Sequence, residues 1–124
     1  MRAQRFVIQG RLPGYNELHK ANWQQSRRIK QEGMNRVIAA ARWDKLRPVQ
    51  QYPVAIEIAC YEPNARRDPD NVTSGAQKVI LDALQQMGVL QGDGRKYIAT
   101  LTCPRPVVDR EAPRVETIIQ EMEA

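Results

Sequence analysis

Apolar and polar positions change rhythm several times along the chain, and each rhythm predicts one kind of element. Residues 5–11, RFVIQGR, alternate and are rich in β-formers, which predicts a first strand stopped by Pro13-Gly14. The YNELHKANW that follows has no such period and reads as a loop. From 24 to 46 the apolar residues Ile29, Met34, Val37, Ile38, Ala41 and Leu46 form an imperfect helical stripe. That predicts a helix closed by Pro48, which has no N–H to continue the ladder. A well-buried strand is expected over 52–61, YPVAIEIACY, and the turn-rich EPNARRDPDN leaves its end directly. The cleanest amphipathic segment, 71–87, carries Val72, Ala76, Val79, Ile80, Ala83, Leu84 and Met87 on one side, with Gly88 as its stop. Beyond the GDG turn at 92–94, strands are expected at 96–103 and 114–121, separated by the Pro-rich PRPVVDREAP. The order β-α-β-α-β-β predicts an α+β domain with two main helices packed on one small mixed β-sheet.

No repeat or linker interrupts that order, and 124 residues suit one core, so a single domain over 1–124 is expected. A hydrophobic share of 42% with 27% charged residues excludes a disordered chain. No segment approaches the ~18 apolar residues of a membrane span, and the N-terminal stretch lacks a signal-peptide core. The expectation is a cytoplasmic, nucleoid-associated protein with no membrane partner. Cys60 and Cys103 sit in separate strand-like runs without the close spacing of metal or redox motifs, and read as reduced, small apolar fillers. The formal charge of +5 fits a polyanionic partner. Much of it gathers around the first helix, on Arg27, Arg28, Lys30, Arg36, Arg42, Lys45 and Arg47.

Asp68-Pro69-Asp70-Asn71 puts two carboxylates two residues apart. In extended backbone such side chains point the same way, so both are expected to face one ion. Hard cations such as Mg²⁺ take oxygen ligands, and in nucleases they also hold scissile phosphate oxygens and activate water. Asp93, flanked by glycines that permit close approach of a phosphate backbone, is the candidate third ligand. The positive N-terminal end of the second helix would help to hold a phosphate. Asn71, Lys78 and Asp82 fall on one stripe of that helix, which aims Lys78 along the site edge, toward a phosphate or the charge of the transition state. Arg66 and Arg67 precede the pair and suit flanking phosphates.

Plainer readings stand beside these. Asp70 or Asn71 would serve as a helix cap, GDG as an ordinary turn, and Lys78 with Asp82 as a surface i,i+4 pair. The basic helix face would then be merely solvated. His19 is a lone loop histidine, and Trp23 and Trp43 read as core or interface anchors.

The run RRDPDNVTSGAQKVILDALQQMGVLQGDGRKYI, residues 66–98, resembles the signature of the RusA family of Holliday-junction resolvases, phage and prophage members included. The matching positions are the basic Arg66 and Arg67, then Asp68, Asp70 and Asn71, Lys78, Asp82-Ala83-Leu84, Gly88 and Asp93. LPGYNE at 12–17 also resembles that family's Pro-rich loop after its first strand, so the likeness covers nearly the whole chain. The stretch from Asp70 to Lys78 is about one helical turn longer than in the best-studied members. Gly92 stands where an aspartate is often found, and both features look like the phage-type branch. The resemblance implies a RusA-like homodimer that resolves four-way DNA junctions by paired nicks in recombination and repair. It implies Mg²⁺, or Mn²⁺ in its place, held by Asp68, Asp70 and Asp93, with Lys78 assisting catalysis. Arg27, Arg28, Lys30, Arg66, Arg67 and Asn71 would contact DNA. The alternatives are a non-catalytic module that binds branched DNA, or a nuclease for other branched or flapped DNA.

Overall fold

In the computed structural model, which describes residues 2–20 and 22–122, β2 (Val54–Glu62) is the central strand. Its alternation turns Val54, Ile56, Ile58 and Cys60 into the core and Glu57 to solvent. On one side it pairs antiparallel with β5 (Arg114–Glu121), which in turn pairs antiparallel with β1 (Ala3–Gln9). On the other side it pairs parallel with β3 (Ile98–Thr102) and, at its far end, with the two-residue β4 (Val107–Val108). The sheet is therefore mixed, in the order β1-β5-β2-β3. One long helix, α2 (Trp23–Trp43), contributes Met34, Val37 and Ala41 to the core. The other, α3 (Pro69–Gln86), contributes Val72, Ala76, Val79, Ile80, Ala83 and Leu84. This is a small α+β fold, and among the described residues no helix is long and apolar enough to cross a membrane.

A third helix, α1 (Tyr15–Leu18), occupies part of the stretch read as a loop, and β4 lies in the Pro-rich connector. Ala21, also in that stretch, lies outside the described residues. The loop carrying Pro13 and Gly14 wedges between the two long helices. A β-carbon on Gly75 of α3 would overlap the Pro13 carbonyl oxygen, and one on Gly33 of α2 would meet the Pro13 ring at 3.0 Å. A glycine inside a helix costs about 1 kcal/mol relative to alanine; here two of them let a loop approach both helix backbones.

Two expectations are corrected and one is extended. Helix α2 ends at Trp43 and not at 46, so Pro48 does not close it. The stop is a left-handed turn in which Leu46 N–H donates to Ala41 O (2.9 Å) and Lys45 N–H to Arg42 O (3.0 Å). Trp23 and Trp43 are 60% and 85% exposed, so neither anchors the core. Finally, the two cysteines meet, because β2 and β3 are neighbours. Cys60 and Cys103 are free thiols that hydrogen-bond each other. That contact, with a smaller contribution from Gln77, pulls the Cys103 thiol down to about 7, while Cys60 is pushed up.

Candidate active site

The two loops that approach the N-terminus of α3 meet at one buried ion cluster. Glu62, the last residue of β2, is 4% exposed and receives both Nε and Nη2 of Arg67, each at 2.9 Å. Arg11 adds a third bond to the same carboxylate at 3.0 Å. The remaining Arg67 nitrogen donates to the Leu12 carbonyl (3.0 Å) and to Glu17 of α1 (3.2 Å). Burial alone would raise the Glu62 carboxyl, but the hydrogen bonds from Arg67 and Arg11 outweigh it and hold the group below the usual carboxylate range. Arg67 was expected at flanking phosphates; its donors are instead spent on tying the 12–17 loop and the 63–67 turn to the end of β2.

That anchor sets where Asp68 and Asp70 lie. Pro69 takes the first helical position, where a missing N–H costs nothing, so α3 starts two residues before the expected Asn71. Asp68 is the N-cap residue, in extended backbone (φ −61°, ψ 142°), and Asp70 is already inside the first turn. The extended i,i+2 geometry expected of the pair is thus replaced by a cap-and-turn geometry. Both carboxylates still line one open depression of about 590 Å³, with Tyr15, Asn16, Asn71, Ser74 and Arg105. Asp68 makes no capping bond to the helix, and neither carboxylate has an ion-pair partner among the described residues. Their oxygens are uncommitted.

Asn71 has a different task. Its Oδ1 accepts the Asn16 N–H at 2.8 Å, and a β-carbon on Gly14 would press its side chain at 2.7 Å. It holds the 14–16 segment against α3, and neither it nor Asp70 is the cap.

Lys78 and Asp93 line a second depression of about 330 Å³, with His19, Gln77, Leu81 and Asp82. Tyr15 and Ser74 belong to both depressions and form the wall between them. From Asp70 to Lys78 the helix rises about 12 Å at ~1.5 Å per residue. Asp82 binds Lys78 at 3.3 Å and Lys30 of α2 at 2.6 Å, so two expected phosphate ligands share one carboxylate. Among the described residues, no three His, Cys, Asp or Glu side chains form one group that could hold a metal ion. His19 is not isolated: its ring stacks on Tyr15 with centroids 3.9 Å apart. Of the remaining expected DNA contacts, Arg66 and Arg28 are exposed, and Arg27 lies 5.1 Å over the exposed Trp23 ring.

Four lining residues are not among the site candidates that the sequence offers: Tyr15, Asn16, Ser74 and Arg105. Ser74 was legible in principle, one helical turn after Asp70 on the same stripe. Arg105 was not, because it comes from the Pro-rich connector and reaches the depression only through the parallel pairing of β3 and β4 with β2. In comparison with known proteins, the chain matches no family model and no curated protein.

Proposed function

We propose that the chain is a metal-dependent endonuclease for branched DNA, acting as a homodimer on four-way junctions in the manner of the RusA family it resembles. The observation that carries this reading is the pair of uncommitted carboxylates, Asp68 and Asp70, in an open depression at the N-terminus of α3. Such a pair suits Mg²⁺, which commonly binds one or two carboxylates and keeps its other positions for water and phosphate oxygens. Asp68 and Asp70 would hold the ion, and once bound it would supply Lewis-acid activation of the phosphodiester and of a water.

The protein's own groups handle the substrate. Arg105 on the lining and the exposed Arg66, two residues before Asp68 in the chain, neutralise phosphates flanking the cut. The first N–H groups of α3 add positive potential, and the hydroxyls of Tyr15 and Ser74 are donors for non-bridging oxygens. Asp93 and Lys78, across the Tyr15–Ser74 wall, complete the acidic and basic groups of the reading, with Lys78 holding a phosphate next along the strand. A two-fold dimer would present one such depression to each of two symmetry-related strands.

The placement of Asp93 in the adjoining depression, apart from the lining of the aspartate pair, favours one alternative, a module that binds branched DNA without cutting it. A junction-nicking assay with and without Mg²⁺ separates the two. Asp70→Asn is expected to lower nicking at least ~100-fold while leaving junction retardation in a gel unchanged. Wild-type protein that retards the junction and never nicks it would establish the binding module instead. Calorimetry with Mn²⁺ sharpens the ligand set: loss of binding is expected for Asp68→Asn and Asp70→Asn, and a smaller loss for Asp93→Asn.

A further inference from the structure

Both long helices end in the same hydrogen-bonded turn, but with different residues in its left-handed position. After α3 it is Gly88, with φ 82°; after α2 it is Lys45, with φ 59°, the one non-glycine residue with positive φ among those described. A β-carbon is disfavoured in that conformation, and glycine is the residue that avoids the clash. A lysine kept there asks for a reason outside the turn.

The surroundings supply one. The turn is clamped to the start of β1: Gln4 donates to Arg47 O (2.9 Å) and accepts from Arg47 N–H (2.6 Å), and Asp44 Oδ2 accepts the Val7 N–H (2.9 Å). Between them lies an open cleft of about 310 Å³ lined by Arg2, Arg5, Asp44, Lys45 and Arg47. Arg2 is paired with Glu121 and Arg5 with Glu116, and Asp44 is occupied by a backbone N–H. Among the described residues, Lys45 and Arg47 have no carboxylate partner. The cleft mouth is therefore positive on a rigid frame. Immediately before it stands Trp43, 85% exposed at the end of α2. Unpaired cations beside an exposed indole match what holds a nucleic-acid strand, phosphates on the charges and a base on the ring.

We propose that this cleft is a second DNA-contact surface, in which Lys45 and Arg47 bind backbone phosphates and Trp43 stacks on a base. The inference rests on the DNA reading above, but on different residues. The cleft lies where β1 begins and β5 ends, beside Val54, whereas the aspartates follow the Glu62 end of β2. The length of β2, about 26 Å at ~3.3 Å per residue, separates the two ends. That spans roughly eight base pairs at ~3.4 Å each, so a single DNA arm is long enough to engage both.

The test uses full-length protein and a four-way junction in EDTA, so that binding is read without cleavage. In a Trp23→Phe background, emission from Trp43 is expected to be quenched on titration with the junction. Lys45→Gly is expected to raise the melting temperature by a few degrees and yet weaken junction binding by about threefold to tenfold. Lys45→Gly with Arg47→Ala should lower the slope of log affinity against log salt by about 1.8, two phosphate contacts at ~0.9 each. Unchanged affinity and slope in these variants would overturn the proposal, as would quenching by phosphatidylserine vesicles with none by DNA. Failure of the endonuclease reading looks different. Quenching and a reduced slope without any Mg²⁺-dependent nicking leaves the cleft standing, whereas nicking with an unaltered slope removes the cleft alone.

Discussion

The two ends of β2 use basic side chains in opposite ways. At the Glu62 end, Arg67 and Arg11 make five hydrogen bonds, three to one buried carboxylate and two to the Leu12 carbonyl and Glu17, which tie two loops to the sheet. At the Val54 end, Lys45 and Arg47 stand on a clamped turn with no carboxylate partner among the described residues. The contrast teaches what burial does to a cation. Out of water, Arg67 uses all three of its nitrogens on acceptors and so builds architecture, and even there Arg11 keeps a buried Nε without a partner; in water, a cation is left free to meet a ligand. The candidate active site accordingly sits on a frame of paired charges, while its own carboxylates are uncommitted.

The largest expected effect comes from breaking the buried end. Arg67→Ala leaves Glu62 in a nearly dry site with only Arg11, and should destabilise the fold by about 3 kcal/mol in urea denaturation. The mirror substitution at the open end, Arg47→Ala, should cost less than about 0.5 kcal/mol. Equal effects would erase the distinction between the two ends.

Acid titration sharpens the same contrast. The folded Glu62 carboxyl lies below its ordinary value of 4.5, so the folded state favours the ionised form. Its contribution is complete above that value and is lost as pH falls through the lower folded value. Glu116, held low by Arg5 and Arg114, behaves the same way. Melting temperature should therefore fall as pH drops below the ordinary carboxylate value of 4.5, with a shallower fall in Arg67→Ala. An identical acid limb in the variant would show that the Glu62 cluster does not govern it.

The smallest effects compare the two helix ends. Gly88→Ala, which puts a β-carbon into the left-handed turn after α3, should destabilise by about 1 kcal/mol. Lys45→Gly, which removes one from the turn after α2, should stabilise by up to about 1 kcal/mol. Opposite signs in thermal denaturation are the expected outcome. A loss of stability in Lys45→Gly would mean that the lysine is held by the fold and not by a ligand.

Periodicity alone identified four of the strands and both long helices, because each buries one face and burial writes a period into the sequence. Strand ends were legible within a few residues. The two short elements were not: α1 spans four residues and β4 two, too few to show any period. The end of α2 was misplaced because a left-handed turn at Lys45 carries none of the usual glycine signal. At the site, Asp68 and Asp70 were visible because chain neighbours stay neighbours however the chain folds.

What the sequence by itself determined, then, is what depends on local spacing: the elements, their buried faces and the paired aspartates. The tertiary structure decided whatever depends on which elements lie side by side. It spent Arg67 on Glu62 and Asn71 on Asn16, brought Arg105 to the aspartates and Cys103 to Cys60, and left Asp93 with Lys78 in the adjoining depression. The physical reason is that a side chain's partners are set by strand order and helix crossing, which are collective results of packing the whole core and carry no local signature in the chain.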